Sequence, residues 1–284
     1  MTIIKNAHSR GVLLLLLTTM IWGTSFPLLK QVLSDLSPAT ILAVRFTIAS
    51  IVFMPWLRYI NRRLICAGVL LGCLYFGECS SALIGLQTIS ANRSAFIVSI
   101  NVILVPLLST LLGQRLTVRI FGAAGLAIVG IGLLSWEGGG LNSGDFLTLG
   151  CAIGVAVYIL TLGWLTPYHP TLPLVAVQLW VMALLSIGLA VPQILTMSQE
   201  MGPAIATHFN TLLYLGLVVT ATPIWTQTLV QRSIPAHEVA LLYALEPVFA
   251  TIFSFWFLGE QLGLQGFIGA ILVLTATVLS QYKR

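Results

Sequence analysis

Gly122-Ala-Ala-Gly-Leu-Ala-Ile-Val-Gly-Ile-Gly-Leu-Leu134 carries no polar side chain on any face, and Val12–Leu17 is likewise apolar all round. A soluble helix needs a polar face and a half-buried strand needs alternation, so segments apolar all round are written for lipid. From these two outward, residues 11 to 284 resolve into apolar stretches near 11–31, 39–57, 65–86, 93–112, 117–135, 145–164, 173–196, 210–231, 238–258 and 264–282, separated by short polar breaks. A hydrocarbon core ~30 Å thick takes about 20 helical residues at ~1.5 Å each. The expected fold is therefore an all-α integral membrane protein of ten transmembrane helices. The bulk figures agree: 58% of the 284 residues are hydrophobic and 7% charged, with a mean hydropathy of +1.01.

Short loops rich in Lys and Arg stay cytoplasmic. Ten of the thirteen basic residues fall on one side of this arrangement: Lys5, Arg10, Arg58, Arg62, Arg63, Arg115, Arg119, Arg232, Lys283 and Arg284. The other side holds Asp35, Glu137, Glu200 and Glu260, with Lys30 and Arg93 near its surface. Both termini are expected in the cytoplasm. The basic residues are scattered, so nucleic acid is not an expected partner. The first stretch, too long for a secretory h-region and without a small-x-small cleavage site, reads as a retained helix. Cys66, Cys73, Cys79 and Cys151 lie inside helices without metal-ligand spacing and read as small buried apolar residues. No metal and no cofactor is expected.

The chain repeats itself. Leu112-Gly113-Gln114-Arg115-Leu116 follows the fourth stretch and Leu258-Gly259-Glu260-Gln261-Leu262 follows the ninth, each leading into a glycine-bearing apolar helix. The expected halves are residues 1–136 and 137–284, five helices each, and an odd number turns the second copy upside down.

Trp22-Gly23-Thr24-Ser25-Phe26, Arg45-Phe46, and Ala240-Leu241-Leu242-Tyr243-Ala244-Leu245-Glu246-Pro247-Val248-Phe249 with Gly259-Glu260 twelve residues after the proline resemble the drug/metabolite transporter superfamily in its ten-helix EamA-type branch. The first half departs from that pattern, with Asn101 where a proline is usual and Gln114 for glutamate. The resemblance implies two inverted five-helix repeats around a central cavity lined by helices one, three, four, six, eight and nine. It also implies export of amino acids or other small metabolites across a bacterial cell membrane. With inverted halves, the expectation is a secondary active transporter working by alternating access, with a channel or lipid scramblase as the other class.

Ionisable groups at depth are the sharpest site signal, since a charge at the centre of a lipid-facing helix costs about 2.5–3.5 kcal/mol. Arg45, Glu78 and Glu246 qualify. Arg45 and Glu78, about 9 and 12 Å below one surface on consecutive antiparallel helices, are expected to form a structural ion pair. A substrate or relay role for Glu78 is the alternative, with Tyr75 one turn away. Glu246 precedes Pro247, which opens the backbone ladder near Tyr243. It reads as a substrate or proton site, or as a protonated carboxyl bonded between helices. Asn101, Gln178 and Gln227 read as interhelical glue, with Asn101 the best site candidate of the three. Trp22, Tyr158, Trp225 and Tyr243 lie near mid-helix, away from the interfacial belts where such rings collect.

The expected substrate site is thus Trp22, Tyr75, Glu78, Asn101, Tyr158, Trp225, Tyr243 and Glu246, for a small-molecule substrate, with membrane lipid as surroundings and a proton as the candidate coupling ion. A monomer is compatible with every feature read here. No G-x-x-x-x-G-K-[ST], G-x-S-x-G or H-E-x-x-H occurs, so no enzyme activity is expected.

Overall fold

The computed structural model describes residues 2–135, 140–258 and 263–281. Glu137, the Gly259–Leu262 motif, Lys283 and Arg284 lie outside the described residues, as do the side chains of Lys5 and Glu200. Among the described residues the fold is all helical. Eight helical spans are long and apolar enough to cross a bilayer: His8–Val32, Pro38–Tyr59, Arg62–Gly85, Arg93–Leu111, Ser143–Tyr168, Thr171–Gln193, Phe209–Val230 and Ala236–Phe253. Two shorter apolar helices, Val118–Leu133 and Leu264–Leu279, take the fifth and tenth places in chain order. The spans are numbered first to tenth in that order.

Four breaks supply a polar side chain that caps the helix after them. Ser37 caps the second span by accepting from the Thr40 N–H, with Pro38 just inside, and Asn61 accepts from Leu64 at the third. Ser90 accepts from Arg93 at the fourth, and Asn142 and Asp145 form a reciprocal capping box at the sixth. Gly113, at φ 87°, takes the left-handed turn that ends the fourth span. One expected break is absent: the seventh helix runs unbroken from Thr171 to Thr207, 37 residues, through the polar stretch expected to be a loop. Polarity there ends the lipid-buried part, but it does not stop a helix. Pro192 sits inside this helix without ending it, whereas Pro55 opens the 3-10 turn Met54–Tyr59 that closes the second span.

At the end opposite the basic breaks, charges tie the chain together. Arg93 grips Asp145 through Nε at 2.6 Å and Nη2 at 2.8 Å, linking the fourth and sixth spans. Lys30 donates to the carbonyls of Leu86 and Ile89 at 2.7 and 3.1 Å. His208 Nε2 meets Asp35 Oδ2 at 2.6 Å. That hydrogen bond first, and one from Ser34 second, hold the Asp35 carboxyl below its ordinary range. A carboxyl depressed on folding contributes stability above its unfolded pKa and loses it as the pH falls through the lower folded value. Asp35→Ala is therefore expected to lower the neutral plateau of a melting-temperature profile slightly, because Asp35 is exposed, and to rejoin the wild-type curve in acid, below about pH 4.

The second span packs along the seventh and the fifth along the tenth, while the third lies against both the sixth and the seventh. The first span meets the eighth and ninth, the second the eighth, and the fourth the sixth and ninth. Close approach depends on small residues: a Cβ added at Gly68 would lie 2.5 Å from Val177 Cγ1, and one at Gly72 2.8 Å from Val181 Cβ. The largest buried cluster joins the first, second, third, sixth, seventh and eighth spans around Phe46, Leu71, Tyr158 and Leu179. A separate cluster, with Leu15, Val105, Ile159, Val230, Val239 and Leu242, closes the basic end between the first, fourth, sixth, eighth and ninth spans. Cys66 and Cys73, expected to be buried, are exposed on the outer face of the third span, where a thiol meets lipid as easily as core.

Candidate functional site

Three spans are broken near mid-depth, and the local chemistry explains each break. The ninth consists of Ala236–Tyr243 and Glu246–Leu258. Pro247 is the second residue of the new helix, where its missing N–H costs nothing and its ring excludes a continuous ladder. The fourth consists of Ala91–Val98 and Asn101–Leu111. Here Asn101 Nδ2 donates to the Val98 carbonyl at 2.7 Å, taking the acceptor that a continuous helix would give its own backbone. Asparagine thus breaks the fourth span where proline breaks the ninth. In the first span, between Thr2–Gly23 and Ser25–Val32, Thr24 Oγ1 and Ser25 Oγ capture the carbonyls of Ile21 and Trp22, each at 2.7 Å. A Cβ on Gly23 would come 2.7 Å from Phe249 Cβ, so glycine lets the first and ninth spans touch at their breaks.

The eighth span is distorted differently. Leu217–Ala221 forms a π-turn, which inserts one residue and frees carbonyls. Trp22 Nε1 donates to the carbonyl of Val219 at 3.1 Å, and Thr220 Oγ1 donates to that of Leu215 at 2.8 Å.

These irregularities surround one cavity of about 120 Å³. Seven of the eight residues read from the sequence line it: Trp22, Tyr75, Glu78, Asn101, Tyr158, Tyr243 and Glu246. Trp225 does not, and that expectation is corrected: it is 39% exposed and lies outside the lining. Gln227, two residues on, lines the cavity from the eighth span instead. Arg45, Ser25, Phe26, Ser94 and Gln227 line the cavity as well, so the second span contributes alongside the six spans expected.

The expected Arg45–Glu78 ion pair is also corrected. No such pair forms; Arg45 Nε donates instead to Thr220 Oγ1, and its guanidinium lies 5.6 Å from the Phe46 ring centre. The π-turn presents the Thr220 hydroxyl to the second span, and nothing in the sequence announces that turn. Thr220→Val should therefore leave a buried guanidinium N–H unpaired and lower stability by about 2 kcal/mol, read as an earlier thermal unfolding midpoint. An unchanged midpoint would show that Arg45 does not depend on Thr220.

The walls are aromatic and fixed. Trp22 and Tyr243 meet edge to face with centroids 4.8 Å apart, and Tyr75 and Tyr158 do so at 5.0 Å. Tyr158 OH donates to Gln178 Oε1 at 2.9 Å, so Gln178 is the glue it was read as. The polar atoms left facing inward share one character. Glu78 Oε2, Asn101 Oδ1, Gln227 Oε1 and Tyr243 OH are buried, line the cavity and find no hydrogen-bond partner among the described residues. The two amide oxygens can only accept, the carboxyl accepts whenever it is ionised, and the hydroxyl can do either. Buried acceptors of this kind call for a donor from a ligand or water. Among the described residues no cluster of His, Cys, Asp or Glu has the makings of a metal site.

The lining runs from Ile159 and Gln227 towards Leu29, Leu86 and Ser94 at the end opposite the basic breaks, while the Leu15–Val105–Val239 cluster closes the basic end.

The model of the EamA-like transporter family matches residues 9–136 and 142–282. An uncharacterized transporter of Archaeoglobus fulgidus is 30% identical over 271 residues, covering 93% of this chain and 83% of the relative. The uncharacterized transporter YdfC of Bacillus subtilis is 23% identical over 280 residues, covering 93% and 88%. One solved crystal structure superposes with a TM-score of 0.77 at 17% identity, over 96% of this chain and 97% of the other, which establishes likeness of fold.

Proposed function

The chain belongs to the EamA-like transporter family, and from that premise we propose that it is a secondary active transporter. On this reading it exports amino acids or related amphipathic and aromatic metabolites across the bacterial inner membrane, with both termini in the cytoplasm. The observation that carries the reading is the cavity: four unpaired buried polar atoms, two carboxyls, Arg45 and two aromatic pairs enclosed where the broken spans meet. An ammonium suits Glu78 and its neighbouring acceptors, a carboxylate suits Arg45, and an apolar or aromatic body suits the rings.

Two inverted halves, 1–136 and 137–284, supply the motion. Exchanging each span with the one five places on turns the third–sixth contact into eighth–first, third–seventh into eighth–second, and fourth–sixth into ninth–first. The second–seventh, fifth–tenth and fourth–ninth contacts map onto themselves. All of these contacts occur in the fold, which supports a pseudo-two-fold relation, as do the two separate stretches matched by the family model. In such a pair each half can adopt the other's conformation, moving the opening from one face to the other. With the basic breaks cytoplasmic, the conformation described here is closed to the cytoplasm. Glu78 and Glu246 are the groups a coupling proton would occupy.

The test is counterflow in proteoliposomes with radiolabelled amino acids, amines and small aromatic metabolites, run with and without a pH gradient. Saturable exchange of a narrow set of zwitterionic or cationic solutes is expected, faster when the gradient opposes export of protons. Non-saturable passage of unrelated solutes would favour a channel, and lipid transfer between leaflets a scramblase.

A further inference from the structure

At the basic end, away from the central cavity, a groove of about 580 Å³ opens between the start of the third span and the end of the sixth. Its head holds the cations Arg62 and Arg63 with His169 beside them, and its wall is apolar, with Ala67, Leu70 and Leu165. Among the described residues no carboxylate lines it. Three exposed rings at the same end, Tyr59 at 56%, Trp164 at 69% and Tyr168 at 76%, set its depth. Tyr and Trp collect at the headgroup level of a bilayer, so the two arginines stand where lipid phosphates lie. Below them Ile65, Val69 and Leu70 are exposed along the third span, which places the wall against hydrocarbon. The third span also begins at Arg62, so the positive end of a 24-residue helix faces the same place.

We propose that this groove is a specific binding site for an anionic phospholipid, its phosphate between Arg62 and Arg63 and an acyl chain along Leu70 and Leu165. Arginine forks phosphate oxygens with paired N–H donors, and basic pockets between membrane helices select anionic headgroups for that reason. A zwitterionic lipid brings the same phosphate with an ammonium that the arginines repel. A free phosphate ion makes no use of the apolar wall, which is why the occupant is a lipid.

The test titrates the purified full-length protein with phosphatidylglycerol, phosphatidylcholine or inorganic phosphate and counts retained ligands by native mass spectrometry. One phosphatidylglycerol is expected to bind well ahead of phosphatidylcholine. The R62A/R63A variant should weaken it by about thirtyfold, since each basic side chain near an anionic surface contributes on the order of a fivefold gain. Arg115→Ala, in the break after the fourth span, should leave binding unchanged, and R62K/R63K should keep most of it, which separates lost charge from lost folding. Equal retention of the two lipids, or wild-type affinity in R62A/R63A, would overturn the proposal. So would millimolar inorganic phosphate that binds alone and displaces the lipid, because the site would then serve a soluble anion.

Discussion

Gly72→Leu should leave little folded protein to purify, and Gly68→Leu should do the same. A Cβ at Gly72 would sit 2.8 Å from Val181 Cβ and 2.9 Å from the Gln178 carbonyl oxygen, and one at Gly68 2.5 and 2.6 Å from Val177 Cγ1 and Cβ. These are not yielding neighbours: one is backbone, and the others belong to β-branched side chains with a single favoured rotamer in a helix. The third and seventh spans must separate to admit the larger residue. That separation loosens Leu71, Ala176 and Leu179, all buried, and disturbs Gln178 where it accepts from Tyr158. Overpacking alone costs about 1–3 kcal/mol, and parting the helices adds lost burial at ~25 cal/mol per Å². Against a total stability of about 5–15 kcal/mol this is a large fraction. Fluorescence-detected size exclusion and thermal unfolding measure it. Gly77→Leu on the same span, where an added Cβ meets nothing within 4 Å, is the matched control. A Gly72→Leu protein melting like the control would disprove the close contact.

Glu246→Gln should abolish gradient-driven transport and leave folding nearly intact. Glu246 lines the cavity at the first turn of the helix Glu246–Leu258. Glutamine keeps its shape but can neither carry charge nor release a proton. Loss of one partner from a desolvated charge pair costs about 2–5 kcal/mol, which in affinity for a cationic group is on the order of 30- to 3,000-fold. Stability should fall by well under 1 kcal/mol through a weakened helix-end interaction. Proteoliposome flux with and without a pH gradient, beside a melting curve, separates the two effects. Unaltered flux and pH dependence would remove Glu246 from the mechanism. Glu78→Gln should weaken substrate binding too, because its unpaired Oε2 is among the acceptors facing the cavity.

Much of the site was legible because its signals are local. A carboxyl before a proline in an apolar stretch announces the ninth-span break from two adjacent residues, and repetition between the halves leads from there to Asn101. Gln178 could be read as glue from its depth alone. Arg45 was visible as a buried charge, but its partner was not, since Thr220 lies 175 positions away and is brought close only by the π-turn. Trp225 was chosen on depth alone, and depth says nothing about which face of the helix a side chain takes; it is 39% exposed and lies outside the lining.

Taken by itself, the amino-acid sequence determined which segments are written for lipid, how many there are and that the ninth breaks at Pro247, because apolar composition and a proline's effect on its own backbone are settled within a few neighbouring residues. Tertiary structure alone decided which end of the cavity is closed, which acceptors stay unpaired inside it, what Arg45 holds and where the basic groove forms. Those outcomes depend on how helices distant in sequence rotate and approach, and the angle at which two spans meet is a property of the pair.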